Sequence, residues 1–160
     1  MLRRLMIVSF TIFSLLGMST LCWASLPAED ALIGGLRPLE KLATIEKQYG
    51  QPVNVKKMGS SMKVIQFREF RSYIDNDKLT AIFVRDNTLT TQRGIRVGMR
   101  ESDVLKKYGN PDIPNVQGHP SMSYKVVWPG GYTDLDFLIK DGVVTGINAI
   151  HWEKTDKKKH

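Results

Sequence analysis

Residues 134 to 150 read Asp134-Leu135-Asp136-Phe137-Leu138-Ile139-Lys140-Asp141-Gly142-Val143-Val144-Thr145-Gly146-Ile147-Asn148-Ala149-Ile150. Leu135, Phe137 and Ile139 recur every second residue, the period of a strand with one buried face. Asp141-Gly142 supplies a two-residue turn of positive φ, so Val143 to Ile150 returns as the second arm of a hairpin. Upstream, Met122, Tyr124, Val126 and Trp128 alternate with Ser123, Lys125 and Val127, and Pro129-Gly130-Gly131 punctuates the turn between. Before that strand, Val104, Leu105 and Tyr108 share one face of a helix that Gly109 and Pro111 stop and Gly98 precedes. The order is helix, strand, strand, strand.

The same order is read a second time, 59 residues earlier, from Tyr49-Gly50-Gln51-Pro52, the echo of Tyr108-Gly109-Asn110-Pro111. Leu39, Leu42, Ile45 and Tyr49 fall on one helical stripe, with Pro38 in its first turn and Gly50 and Pro52 as its stop. Val64 to Tyr73 reads as a strand in which Phe67 and Phe70 break the period, which predicts a bulge or slip. Asp75-Asn76-Asp77 reads as the turn, Leu79 to Val84 as the next strand, Asp86-Asn87 as the counterpart of Asp141-Gly142, and Thr88 to Ile95 as the third strand. The expected fold class is α+β: two tandem units, residues 25–93 and 94–152, each a helix plus three antiparallel strands, packed as one body. Residues 153–160 read as a basic flexible tail.

Residues 1–24 contain no acid, begin with Arg3 and Arg4, and run apolar from Leu5 to Leu16, the pattern of a secretory leader. Cys22 and Ala24 place small side chains where a signal peptidase reads, so cleavage after Ala24 is expected, with no transmembrane segment remaining. A retained anchor and lipidation of Cys22 are the rival readings; Ser9, Thr11, Ser14, Ser19 and Thr20 dilute the first, and Leu21 stands where the second wants a small residue. Cleavage removes the only Cys, which leaves no thiol for catalysis, thiolate ligation or a disulfide. The formal net charge of +7 speaks of solubility and association, and an export signal disfavours nucleic acid as the partner. Apolar residues at 42% and charged residues at 24% exclude a disordered or collagen-like chain.

Gly94 to Met99, Glu101 to Val104, Tyr108-Gly109-Asn110-Pro111 and Phe137 to Val144 together resemble the small outer-membrane-assembly proteins of the BamE/SmpA type. Their doubling resembles tandem-repeat β-lactamase-inhibitor proteins. The resemblance rests on structural devices, namely Gly98, Gly109, Pro111, Asp141 and Gly142 with Gly50 and Pro52 in the first unit, and so implies a fold before a function.

No catalytic set is legible. His119, His151 and His160 read as loop and surface residues, without the paired spacing a metal needs. Asp134 and Asp136 share a strand face and are the residues to watch for acid–base work or a cation, though the alternation explains them as a solvated face. Ser60, Ser61, Ser121 and Ser123 lack a nucleophile elbow, and the glycines form no phosphate loop. Neither metal nor cofactor is expected. Trp128, Tyr132 and Tyr124, with Arg96 and Arg100, are the candidate binding residues, because aromatics and arginine anchor interfaces. Arg93, Arg96, Arg100, Lys106 and Lys107 flank the second helix, and Lys56, Lys57 and Lys63 follow the first; they offer contact with an anionic surface. The expected function is a non-catalytic exported, periplasmic module that binds an envelope protein or assists envelope assembly. The alternatives are a small-ligand or cation binder, a weak hydrolase at Asp134, Asp136 and His119, or an inhibitor of a secreted enzyme.

Overall fold

The computed structural model describes residues 26–116 and 119–154, without the side chains of Val116 and His119. The expected leader, Cys22, Gln117-Gly118 and residues 155–160 with His160 lie outside the described residues. A short 3-10 turn, Ala28–Ala31, precedes α1 (Leu42–Tyr49), β1 (Asn54–Lys57), β2 (Met62–Gln66), β3 (Arg71–Asp75) and β4 (Lys78–Val84). Then come α2 (Glu101–Tyr108), β5 (Ile113–Val116), β6 (His119–Trp128), β7 (Gly131–Lys140) and β8 (Val143–Glu153).

All eight strands form a single antiparallel sheet in the order β1-β2-β3-β4-β8-β7-β6-β5. This corrects the expected two tandem helix-plus-three-strand units. Each helix is followed by four strands, and what joins the halves is the ladder of β4 with β8, from Ala81↔Ile150 to Val84↔Ile147. The segment 64–73 is two strands, because Phe67 and Phe70 form a tight turn (Phe67 N–H to Phe70 O, 2.9 Å) with stacked rings. Thr88 to Ile95 is not a strand; it is a loop in which the buried Thr91 hydroxyl accepts the Ile95 N–H and the Tyr108 hydroxyl proton. The counterpart of the Asp141-Gly142 hairpin is Asn76-Asp77, both at positive φ, and not Asp86-Asn87.

Both helices lie on one face. Ile45 of α1 and Val104 and Tyr108 of α2 pack in one core with Ile65, Ile74, Ile82, Leu135, Phe137, Ile147 and Ala149. Each helix ends as expected, at Gly50 (φ 80°) and Gly109 (φ 79°). The starts differ: Leu39 has φ 60° and donates its N–H to Leu79 O, so Pro38 and Leu39 precede α1, not its first turn. The N-terminal segment is held by Asp30, whose carboxylate accepts bonds from Arg93 at 2.6 and 2.8 Å. Arg93 also lies over the Tyr108 ring, which makes it a structural residue of the core edge and not part of a free basic patch.

Candidate functional site: the helix-free face of the sheet

Strand alternation sends every second side chain away from the helices. The registers align one such row across all eight strands: Asn54↔Gln66↔Arg71↔Phe83↔Asn148↔Asp136↔Ser123↔Ile113. The row beside it runs Val64↔Tyr73↔Ala81↔Ile150↔Asp134↔Lys125. No helix covers these rows, and Met62, Ile113, Val127 and Trp152 are exposed on the same face. Of these, Val127 and Trp152 lie toward the same end of the long strands, beside Tyr132, while Met62 and Ile113 lie near opposite edges of the sheet.

In the first half, Tyr73 and Phe83 lie with ring centroids 5.0 Å apart, and Arg85 extends over Phe83 at 5.9 Å. Arg85 Nη1 donates to Asn148 Oδ1 (2.8 Å) and Val84 O (2.9 Å) and so crosses the β4–β8 seam. Burial, and then the charge of Arg71, lower the Arg85 pKa from its ordinary value. These residues border a cleft of about 410 Å³ with Gln66, Arg68 and Asp86.

In the second half, Tyr132 stacks on Trp152 at 6.2 Å, Lys125 Nζ lies over the Tyr132 ring at 4.6 Å, and Trp152 Nε1 donates to Asp134 Oδ2 (2.8 Å). Asp136 is buried, with Oδ1 lacking a hydrogen-bond partner. Burial raises its pKa, and the Asp134 charge adds to the shift while a bond from Ser123 opposes it. It lines a groove of about 830 Å³ with Leu138, Asn148 and Ile150.

The five expected binding residues do not come together. Tyr124 is in the core, 2% exposed, donating to Gly109 O (2.8 Å), and burial pushes its pKa up to about 12. Trp128 packs against the core and donates to Thr133 Oγ1 (3.0 Å), whereas Tyr132 is on the helix-free face. Arg96 and Arg100 are exposed beside α2, Arg100 as its N-cap. His151 is not a surface residue: it lies inside β8, buried against Thr133 Oγ1 (2.8 Å), and burial lowers its pKa to about 4. It faces the core while Asp134 and Asp136 face away, so these groups do not assemble for acid–base catalysis. Asp134 and Asp136 do share a face, but among the described residues no three His, Cys, Asp or Glu side chains gather to hold a metal. Arg71, Arg85 and Trp152 were not singled out from sequence. The signal was present in Arg71-Ser72-Tyr73 and Phe83-Val84-Arg85, where a spacing of two puts cation and ring on one face.

No protein-family profile matches the chain, and no curated protein does either. Among solved structures, it is similar to an extracellular protein containing a SCP domain from Bacillus anthracis, with TM-score 0.53, 8% identity, 71% of this chain and 43% of that one. It is also similar to a cysteine-rich secretory protein from Staphylococcus aureus, with TM-score 0.51, 10% identity, 79% of this chain and 48% of that one. This chain therefore spans less than half of each. At such identities the likeness is one of fold. The BamE/SmpA-type and tandem inhibitor resemblance is corrected accordingly: the residues that carried it are helix stops and a hairpin turn, which a continuous eight-stranded sheet also uses. Among the described residues, no helix is long and apolar enough to cross a membrane.

Proposed function

We propose that this chain is an exported, non-catalytic protein-binding module whose helix-free sheet face is the contact surface. The observation that carries the reading is the pair of ring-and-cation clusters on that face, Tyr73–Phe83–Arg85 and Tyr132–Trp152–Lys125, on either side of the β4–β8 seam. Aromatic and arginine side chains on a rigid, partly desolvated platform are the residue types that anchor interfaces. Export rests on the leader pattern of residues 1–24, and the description of the Bacillus anthracis neighbour as extracellular agrees with it.

The test is affinity capture with the exported chain from the extracytoplasmic fraction of its source cell, with two variants alongside. Phe83→Glu places a charge in the middle of the face; Lys47→Glu alters an exposed position on α1. A stoichiometric partner retained by Lys47→Glu and lost with Phe83→Glu, both variants melting like the parent, supports the reading. A partner insensitive to Phe83→Glu, or lost with Lys47→Glu instead, overturns it.

A further inference from the structure

The cleft at the β3–β4 end of this face holds more positive charge than its own neighbours neutralise. Arg71 stands opposite Phe83, and Arg85 follows two residues later on the same side, a diagonal separation of about 7–8 Å between adjacent strands. Arg68 joins them from the turn between β2 and β3. Among the described residues, none of the three makes an ion pair. Arg71 spends only Nε, on a long 3.4 Å bond to Gln66 Oε1, and Arg85 spends only Nη1. Two guanidinium groups therefore reach the cleft with donors to spare, and each planar fork matches an oxyanion.

The two acids at the rim, Glu69 and Asp86, offset only two of the three positive charges of Arg68, Arg71 and Arg85 and leave a formal excess of one. Asp86 Oδ1 is taken by the N–H and hydroxyl of Thr88 in its own turn. Glu69 lines the cleft with a buried Oε2 that makes no hydrogen bond, and its charge joins burial in raising the Tyr49 phenol pKa. The geometry is also built to hold Arg85 down. Gly146 lies beneath it, and a Cβ at that position would sit 2.8 Å from Arg85 Nη1 and 3.2 Å from its Cδ. Gly146 has an ordinary φ, so it is the close approach of the arginine, not backbone strain, that this glycine serves.

We infer that Arg71 and Arg85 form a receptor for a single carboxylate on a protein partner, with the apolar stem beside that carboxylate resting on Tyr73 and Phe83. The inference deepens the binding reading above and rests on it. The charge pattern selects this occupant. Asp86 and Glu69 border the cleft, and Asp136 and Asp134 lie on β7, three strand spacings or about 14 Å from Arg71. A polyanion such as a sulfated glycan would meet those acids along the face, whereas a protein surface with one carboxylate among apolar and basic groups complements it.

The probe is the capped dipeptide N-acetyl-Phe-Glu-amide, with N-acetyl-Phe-Gln-amide as its uncharged twin, titrated into the ¹⁵N-labelled exported chain while arginine Nε–H resonances are followed. The Glu peptide should shift Arg71 and Arg85 saturably, and the Gln peptide should bind at least tenfold more weakly. Arg71→Gln should lose at least tenfold in affinity, and Gly146→Val, which displaces Arg85 without touching Arg71, should lose several-fold. Equal shifts with both peptides, no saturable shift at either arginine, or tighter Arg71-dependent binding of inorganic phosphate or of a heparin tetrasaccharide than of the Glu peptide would each overturn the inference. Partner capture that survives Arg71→Gln but is lost with Phe83→Glu overturns this receptor while leaving the broader reading intact; capture insensitive to Phe83→Glu removes that reading whatever the peptide does.

Discussion

The two halves of the sheet have the same order of elements and opposite investments. β1 to β4 have 4, 5, 5 and 7 residues, while β5 to β8 have 4, 10, 10 and 11. In the long half Tyr108, Tyr124 and Phe137 meet with centroids 5.2 to 5.9 Å apart beneath α2. The short half has ring pairs of its own, with Tyr49 edge-on against Phe70 at 5.0 Å, Phe67 stacked on Phe70 at 4.8 Å, and Tyr73 beside Phe83 at 5.0 Å on the helix-free face. Arg68 stands in the turn between β2 and β3, Arg71 opens β3 and Arg85 follows β4. The difference teaches that strand length is unevenly divided, a long ladder lying beside a short one that turns break into brief strands, while both carry ring-and-cation clusters on the helix-free face.

The sharpest way to break this division is to hollow each half. Phe137→Ala should cost about 4–5 kcal/mol and Phe67→Ala about 3 kcal/mol, because Phe67 sits in a turn that can close over the loss while Phe137 is enclosed on all sides. Urea midpoints measure both, and equal costs would erase the distinction. Acid should reveal the long half next. His151 has a folded pKa of about 4, below the 6.5 of a free imidazole, so on acidification the unfolded chain takes up a proton that the folded chain refuses. Its contribution is complete above pH 6.5 and falls by about 3 kcal/mol as pH drops to about 4. Asp136, with a raised pKa, works in the opposite sense and blunts the fall. His151→Leu should flatten the decline between pH 6.5 and 4 in urea titrations; an unchanged slope would place the acid sensitivity elsewhere.

Smaller effects compare the helix anchors. Asp30→Asn should cost about 2–3 kcal/mol, less than a fully buried pair, because the Arg93 side chain is 31% exposed. Gly50→Val and Gly109→Val should each cost about 2 kcal/mol, since both sites have positive φ and nothing within 4 Å to clash with a new side chain. Matching losses in melting experiments would show that the two helix ends are energetically alike despite the unlike sheets below them. The smallest change is at the exposed Trp152–Asp134 bond, where Asp134→Asn should stay within about 0.5 kcal/mol by the same measurement.

What could be read from sequence follows from what each signal encodes. Gly50, Gly109 and Asp141-Gly142 were legible because their job is local: a positive φ is required wherever the chain goes next. β6 and β7 were legible because Tyr124, Val126, Leu135 and Phe137 bury one face. β1 was not, because all four of its residues are exposed and it is held by backbone pairing to β2 alone. β5 was hidden by Pro114 and by Asn115 at φ 63°, both suited to an edge and neither a strand former. Thr88 to Ile95 had strand-like composition, yet Thr91 spends its hydroxyl on Ile95 and Tyr108 and bends the chain. Alternation says that a strand has one buried face but not which strand lies beside it, so one continuous sheet and two separate layers share the same local pattern. For the site, Asp134 and Asp136 were placed on a common face by spacing, but the clustering of Arg71 with Arg85 comes from register between β3 and β4, which composition does not contain.

The β4–β8 ladder also sets a timetable. A chain that emerges from its N-terminal end first presents β4 as an open edge, with Ala81 to Val84 unpaired, until Ile147 to Ile150 have been delivered. During that interval the first half can pair with any passing strand, including β4 of another copy, so the chain is most vulnerable to mispairing between the delivery of β4 and that of β8. The central position of the seam, which carries Arg85 to Asn148 in the finished molecule, thus makes the last strand the one whose arrival ends that exposure.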